Sequence, residues 1–354
     1  MRVKKTNKMD GNVVTAIGTP NIALVKYWGK RDSKINLPMN SSLSMTLDET
    51  LNTTTSVLFS DTLKEDKMYI NDELQNMKDS ANEKSIFAAR MLDHLRILAG
   101  TNSHALIVSR NSFPSSAGLA SSASGAATLV YAASNALGLK LTTKDLSIIT
   151  RQISGSACRS VFGGFVVWHK GSAGDGLDSY AECIAGKGYW PEVIDIITLV
   201  SGAKKRISSS EGHAITVKTS SLYKMRPPAA EERVNRMIAA IKERDFETLA
   251  IETIKDSNNM HATMLDSYPP IIYMNDTSKE IMMAVHELNN DAGRMVAAYT
   301  FDAGANAHII TRIKDKEQVI EKLKGIVSNF IVAGQGEGPR LLGGGASLIS
   351  DKML

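Results

Sequence analysis

Residues 113–124 read FPSSAGLASSAS: Pro114 ends a short apolar run, and Ser, Ala and Gly then follow almost without interruption. Side chains this small let a ligand approach the backbone, and hydroxyl and N–H groups can hold phosphate oxygens. From Leu119 the spacing becomes helical, with Leu119, Ala123, Ala126 or Ala127, Val130 and Leu137 on one stripe. The run therefore predicts a loop that opens a helix, and the unpaired N–H groups and positive dipole of a helix start attract anions. It matches neither Gly-x4-Gly-Lys-Ser/Thr nor Gly-x-Gly-x-x-Gly after a strand. The competing reading is a small-residue helix packed tightly against another backbone.

With 354 residues the chain can bury a large core, in one large domain or two. Its net charge of +4 is too weak to argue for nucleic acid or a membrane surface. Two cysteines, Cys158 and Cys183, make no disulfide framework and suit a reducing compartment. The seven histidines show no His-x3-His spacing and no Cys pair sits at Cys-x2-Cys, so a metal site built on these residues is not expected. No apolar run reaches the roughly 18 residues of a membrane span. The N-terminal MRVKKTNKMDGN is basic without the apolar core of a secretory signal, and the closing Asp351-Lys352-Met353-Leu354 is not Ser-Lys-Leu. A cytoplasmic protein with no nucleic-acid or membrane partner is expected.

Periodicity predicts strands at 13–27 (broken at Pro20), 42–47, 53–59, 105–108, 163–169 and 193–200. It predicts helices at 85–98, after Leu119 up to a Gly138 cap, and at 143–153. From Pro227 the texture changes to long helices at 229–242, 246–264 and 278–289. Strands at 295–301 and 308–311, a charged helix at 315–330 and a Gly-rich surface loop at 334–345 complete the pattern. Helices and strands mix without a regular βαβ rhythm, which implies an α+β architecture in two lobes, 1–190 and 191–354.

Four further clusters carry chemical groups. NIALVKYWGKR (21–31) sets Lys26, Lys30 and Arg31 beside Tyr27 and Trp28. In a strand Lys26 and Trp28 would share a face, and a lysine held there needs an anion because an unpaired buried charge is costly. The bland alternative is a lysine reaching to solvent from a sheet edge. SGSACRS (154–160) carries Arg159, the side-chain type best shaped to grip a carboxylate or phosphate; a surface arginine in a turn is the commoner case. TFDAGANA (300–307) places Asp302 after an apolar strand among small neighbours, to reach into a cleft or merely to cap a turn. SGAKKRISSS (201–210) could meet a polyphosphate with Lys204, Lys205 and Arg206, although a solvated charge run is the simpler account. Together the clusters suit phosphoryl transfer, where a protein mostly positions groups and neutralises charge.

Six long motifs, NIALVKYWGKRD (21–32), INLPMNSSLSMTL (35–47), NSFPSSAGLASSASG (111–125), SGSACRSVFGGF (154–165), DSNNMHATMLDSYPPIIYMNDTS (256–278) and AYTFDAGANAH (298–308), span most of the chain. In these motifs the chain resembles the diphosphomevalonate decarboxylase family of the GHMP kinase superfamily. The resemblance implies a two-lobe α+β fold with a deep cleft. Its N-terminal lobe would be like ribosomal protein S5 domain 2 and its C-terminal lobe ferredoxin-like, usually in a homodimer. It implies ATP-dependent decarboxylation of (R)-5-diphosphomevalonate to isopentenyl diphosphate, with ATP and Mg2+ as cofactors.

By the same resemblance Asp302 faces the C3 hydroxyl as base or orienter. Arg159 clamps the C1 carboxylate with Asn21 nearby, and Lys26 faces Asp302 and the transferring phosphoryl group. Ser154, Gly155 and Ser156 form the turn that holds the substrate diphosphate, assisted by Tyr27 and Lys30. Ser115, Ser116, Gly118, Leu119, Ala120, Ser121 and Ser122 form the ATP phosphate loop. The metal would come with ATP, near Ser121, rather than be fixed on the protein. Ala305 stands where the family often has Pro, which would loosen that turn slightly. A superfamily kinase that stops at phosphorylation would share the phosphate loop but not Asp302, Lys26 and Arg159 in these motifs. A nucleotide-binding regulator without turnover has no need of them, and a nucleic-acid module is disfavoured by the weak charge.

Overall fold

A computed structural model describes residues 11–79, 83–113, 121–200 and 207–353. The first half runs β1 (Val14–Gly18), β2 (Asn21–Val25), the short ribbon β3 (Lys30–Asp32) and β4 (Leu37–Pro38), then β5 (Ser42–Thr46) and β6 (Thr53–Ser60). The hairpin β7 (Lys67–Ile70) and β8 (Glu73–Gln75) follows, then helix α1 (Glu83–Ala99) and β9 (His104–Asn111). Helices α2 (Ser121–Ala136) and α3 (Thr143–Ile153) lead through a 3₁₀ turn, Gly155–Val161, to β10 (Phe165–Trp168) and β11 (Ala181–Ala185). The second half runs β12 (Val193–Thr198), α4 (Ser209–Thr219), α5 (Arg226–Glu243), α6 (Phe246–Leu265), α7 (Asp276–Ala292), β13 (Ala297–Phe301) and β14 (Ala307–Arg312). It ends with α8 (Lys316–Leu323), β15 (Phe330–Ala333) and β16 (Arg340–Leu342).

Local chemistry sets these boundaries. Helix α3 opens on a capping box in which Thr142 and Asp145 satisfy each other's backbone N–H, and α7 opens on the same device from Asn275 and Ser278. Helix α7 closes on Gly293 in the left-handed conformation. Strand β12, VIDIIT, is buried throughout and is paired on both sides, as a central strand with no solvent face should be.

The strands form three principal sheets. The first has the order β16-β1-β6-β9-β7-β8, the second β11-β10-β5-β2 and the third β13-β14-β12-β15. Helices α1, α2 and α3 cover the first sheet and share an apolar cluster with it. A larger cluster joins Leu24 and Met45 of the second sheet to Met237 of α5, Leu249 of α6 and Ile196, Tyr299 and Ile309 of the third. Burying apolar faces on both sides of the crossing from Ala185 to Val193 binds the two halves by one continuous core.

Two expectations are corrected. The charged segment 315–330 is not one helix: α8 stops at Leu323 and the β-branched run at Phe330–Ala333 pairs with β12 instead. Gly325 follows the helix end, and glycine costs a helix about 1 kcal/mol relative to alanine. The Gly-rich 334–345 is exposed only from residue 337 on, and it is not a free loop. Gly336 donates to the Thr46 carbonyl and accepts from Gly164, Gln335 is buried, and β16 then pairs with β1. A Cβ on Gly336 would lie 1.8 Å from the Leu47 carbonyl oxygen and one on Gly338 2.5 Å from that of Val161, so the glycines let three backbones meet. The β7–β8 hairpin, β11 and α4 were not anticipated.

Candidate active site

Strand β2 ends at Val25, so Lys26 and Trp28 lie beyond it rather than on one strand face. Lys26 reaches the residue that follows β13: its Nζ donates to Asp302 Oδ1 at 2.6 Å. The lysine side chain is 2% exposed and the carboxylate 37%, so the cation is covered while the anion keeps an exposed face. Burial alone would raise the Asp302 carboxyl, but the charges of Lys26, His308 and Arg159 outweigh it and bring it down to about 2. Asp302 is thus ionised at any physiological pH. The turn behind it is tied down, since Gly304 N–H donates to the Asp302 carbonyl at 2.7 Å and Ser278 Oγ to the Ala305 carbonyl at 3.0 Å. Ala305 therefore has a tertiary anchor in place of proline's rigidity.

Arg159 is buried, contrary to a surface turn, on the 3₁₀ segment between α3 and β10. Its Nε donates to Asn21 Oδ1 at 3.2 Å and its Nη1 to Ser42 Oγ at 2.6 Å, leaving Nη2 without a partner among the described residues. Asn21 is itself oriented by donating to Ser160 Oγ at 2.8 Å and the Ser156 carbonyl at 3.2 Å. Acceptors hold two guanidinium nitrogens, and the neutral character of those partners preserves the net positive charge for an anionic ligand.

Ser154, Gly155 and Ser156 start the same 3₁₀ segment beneath an aromatic layer. A Cβ on Gly155 would stand 2.8 Å from Tyr27 and 3.0 Å from Trp168, so only glycine lets the turn approach. Tyr27 packs on Trp168 at 4.7 Å and on His213 at 4.6 Å. Burial pushes its phenol far above the usual range, which keeps it a neutral O–H. That hydroxyl is buried and has no partner among the described residues. Lys30 sits on the β3–β4 ribbon, and its charge reaches the His213 ring.

Of the phosphate-loop residues, Ser115, Ser116, Gly118, Leu119 and Ala120 lie outside the described residues, as do Lys204, Lys205 and Arg206. Ser121 and Ser122 open α2 as expected, and no acidic residue occupies its first turn. The tight-packing reading of this helix holds as well: Ala123, Ala127 and Val130 are buried, and a Cβ on Gly18 of β1 would lie 2.3 Å from Thr128 Oγ1. Among the described residues no group of three or more His, Cys, Asp or Glu side chains could hold a metal ion, and no helix is long and apolar enough to cross a membrane.

Several polar residues near the site carried no role in the sequence reading. Arg226 and Asp256, each 0% exposed, form a buried pair against the Lys26 backbone. His213 accepts from Gly29 N–H through Nδ1 at 2.7 Å and stacks on Trp28, and burial lowers its ring to about 3. His308 and Asp195 pair at 2.6 Å between β14 and β12. The motif at 256–261 was visible in the sequence, but a helical Asp or His shows its partner only once the neighbouring strands are placed.

Residues 18–181 match a family model described as diphosphomevalonate decarboxylase-like N-terminal domain, and residues 195–341 match one described as mevalonate 5-diphosphate decarboxylase C-terminal domain. The chain is 44% identical over 325 residues to the diphosphomevalonate decarboxylase of Aspergillus fumigatus, covering 88% of this chain and 80% of the relative. Its fold is similar to that of the mevalonate diphosphate decarboxylase from Trypanosoma brucei, with a TM-score of 0.87 and 32% identity over 96% of this chain and 100% of that one. It is also similar to the solved structure of "MDDEF in complex with MVAPP, AMPPCP and Magnesium", with a TM-score of 0.85 and 36% identity over 93% of this chain and 98% of that one.

Proposed function

The chain belongs to the diphosphomevalonate decarboxylase family, and on that premise we propose how its cleft performs the family's reaction. The enzyme is an ATP-dependent decarboxylase that converts (R)-5-diphosphomevalonate to isopentenyl diphosphate, carbon dioxide, ADP and phosphate in the mevalonate route. The observation that supports the residue assignment is the Lys26–Asp302 contact of 2.6 Å, in which a covered cation meets a partly exposed anion.

The C3 alcohol of the substrate is tertiary and a poor leaving group until it is phosphorylated. Asp302 accepts the C3 O–H and aims its oxygen at the γ-phosphoryl group. A carboxyl held near 2 is a weak base, so Asp302 orients first and takes the proton only as the O–P bond forms. Lys26 offsets charge on the transferring group. Departure of phosphate leaves positive charge at C3, and loss of carbon dioxide from C1 then supplies the electron pair of the new double bond. Arg159, held by Asn21 and Ser42, offers Nη2 to the C1 carboxylate so that the breaking C–C bond lines up with the emptying orbital. Ser154, Gly155 and Ser156, with Tyr27 and Lys30, receive the diphosphate.

The N-terminal turn of α2, rich in small residues and free of acidic ones, suits the ATP polyphosphate. Mg2+ would come with ATP, near Ser121 as the resemblance implies, and would supply Lewis-acid neutralisation of the polyphosphate charge. A cytoplasmic location and a homodimer complete this reading: two cysteines with no disulfide framework suit a reducing compartment, and the dimer is what the family resemblance implies.

Product analysis with ATP, Mg2+ and (R)-5-diphosphomevalonate labelled at C1 tests the function. Labelled carbon dioxide in step with ADP is expected. ADP without carbon dioxide would mean a kinase that stops at the 3-phosphate.

A further inference from the structure

The segment Asp256-Ser257-Asn258-Asn259-Met260-His261 lies within α6, and its polar side chains reach Arg226 of α5, the backbone of Lys26 just beyond β2, and strand β13. Asp256 Oδ2 accepts the Lys26 backbone N–H at 2.7 Å. Arg226, the first residue of α5, donates Nη2 to the Lys26 carbonyl at 2.9 Å and pairs with both oxygens of Asp256 at 3.2 Å. Asn259, one turn on from Asp256, accepts from Arg226 Nη1 at 2.8 Å. One buried ion pair thus reaches both backbone groups of Lys26, and Asn40 Nδ2 also donates to its carbonyl at 3.0 Å.

Ser257 and His261 are also a turn apart, and together they hold the other side of the contact. Ser257 Oγ accepts the Phe301 N–H at 3.0 Å. His261 Nε2 lies 3.3 Å from the Phe301 carbonyl. A carbonyl only accepts, so Nε2 carries the proton. Phe301 is the last residue of β13, and Asp302 is the next residue in the chain.

We propose that α6 is a positioning element: Asp256 with Arg226 fixes the backbone of Lys26, Ser257 with His261 fixes the backbone that carries Asp302, and the helix between them sets the separation of the two reacting side chains. A rigid helix spanning both groups fits chemistry that demands sub-ångström placement, since catalytic groups act only when held close to their productive geometry. The two segments it ties, the residues just after β2 and the end of β13, come from opposite halves of the chain, where no local sequence could set a distance. None of these residues need touch substrate, so they act through Lys26 and Asp302. The inference rests on the roles given to those two residues above.

The test is a double-mutant cycle between Ser257→Ala and Asp302→Asn, followed by single-turnover release of labelled carbon dioxide, which reads slow variants. Ser257→Ala removes one buried hydrogen bond, and the expected result is a kcat about ten-fold lower, with KM for both substrates unchanged, a loss equivalent to about 1.4 kcal/mol. In the Asp302→Asn background the same change is expected to have no further effect, because the group being aimed is gone. An unchanged kcat for Ser257→Ala, or an equal loss in both backgrounds, would overturn the inference while leaving the role of Asp302 intact. Wild-type turnover in Asp302→Asn alone would instead remove the role of Asp302, and this positioning role with it. If Ser257→Ala does not fold, the pair His261→Gln and His261→Ala replaces it. Gln keeps a donor for the Phe301 carbonyl and is expected to retain most of kcat; equal loss in Gln and Ala would overturn the inference.

Discussion

Lys26, Asp302 and Arg159 show why burial decides the use of a charge. A buried cation is costly without an anion beside it, and the 2.6 Å contact to Asp302 supplies one to Lys26, whose side chain is 2% exposed. The histidines nearby follow the opposite course. Burial holds His213 down to about 3 and His261 to about 4, so both rings are neutral in the folded enzyme at neutral pH. The unfolded chain binds those protons near the ordinary histidine value of about 6.5, and the folded chain does not until far lower pH. Stability is therefore lost as pH falls from about 6.5 toward 4, with a slope of order 1 kcal/mol per pH unit for each ring. Thermal melts between pH 7 and pH 5 check this. His213→Gln, whose amide oxygen can still accept from Gly29 N–H, is expected to flatten the acid-side decline, and an unaltered slope would exclude His213 as its source.

At the scale of elements, what could be read from the sequence was whatever depended on neighbours in the sequence. Helix α3 has the predicted bounds because its cap, its apolar stripe and its C-terminal Ser154 all lie within a dozen residues. The strand that leads to Asp302 and the helix after the Ser/Ala/Gly run were legible for the same reason. Residues 334–345 were not, because the same glycines serve a flexible loop and a close crossing of backbones. Gly336 is explained only by the Leu47 carbonyl that stands in the way of a side chain. Gly336→Ala is accordingly expected to destabilise the fold by about 3 kcal/mol, the upper end of what overpacking costs, because the obstruction is backbone that cannot swing aside. Urea denaturation measures it, and a change below about 0.5 kcal/mol, as at an ordinary surface position, would mean that the crossing is looser than described.

On the scale of the whole molecule, the site belongs to no single stretch of chain. Lys26 follows β2, Arg159 precedes β10 and Asp302 follows β13, and one apolar core fixes their elements relative to one another. The residue types and their motifs were visible in the sequence, whereas the buried Arg226–Asp256 pair and the span of α6 needed the assembled fold. The account holds that this assembly divides the reaction: Asp302 and Lys26 serve phosphoryl transfer, and Arg159 serves the loss of carbon dioxide. The time courses of ADP and labelled carbon dioxide in one turnover of Arg159→Gln test that division most directly. The account predicts ADP formed well ahead of carbon dioxide, with a phosphorylated intermediate accumulating between them. ADP and carbon dioxide slowed equally and released together would contradict it, because Arg159 would then act before or during phosphoryl transfer.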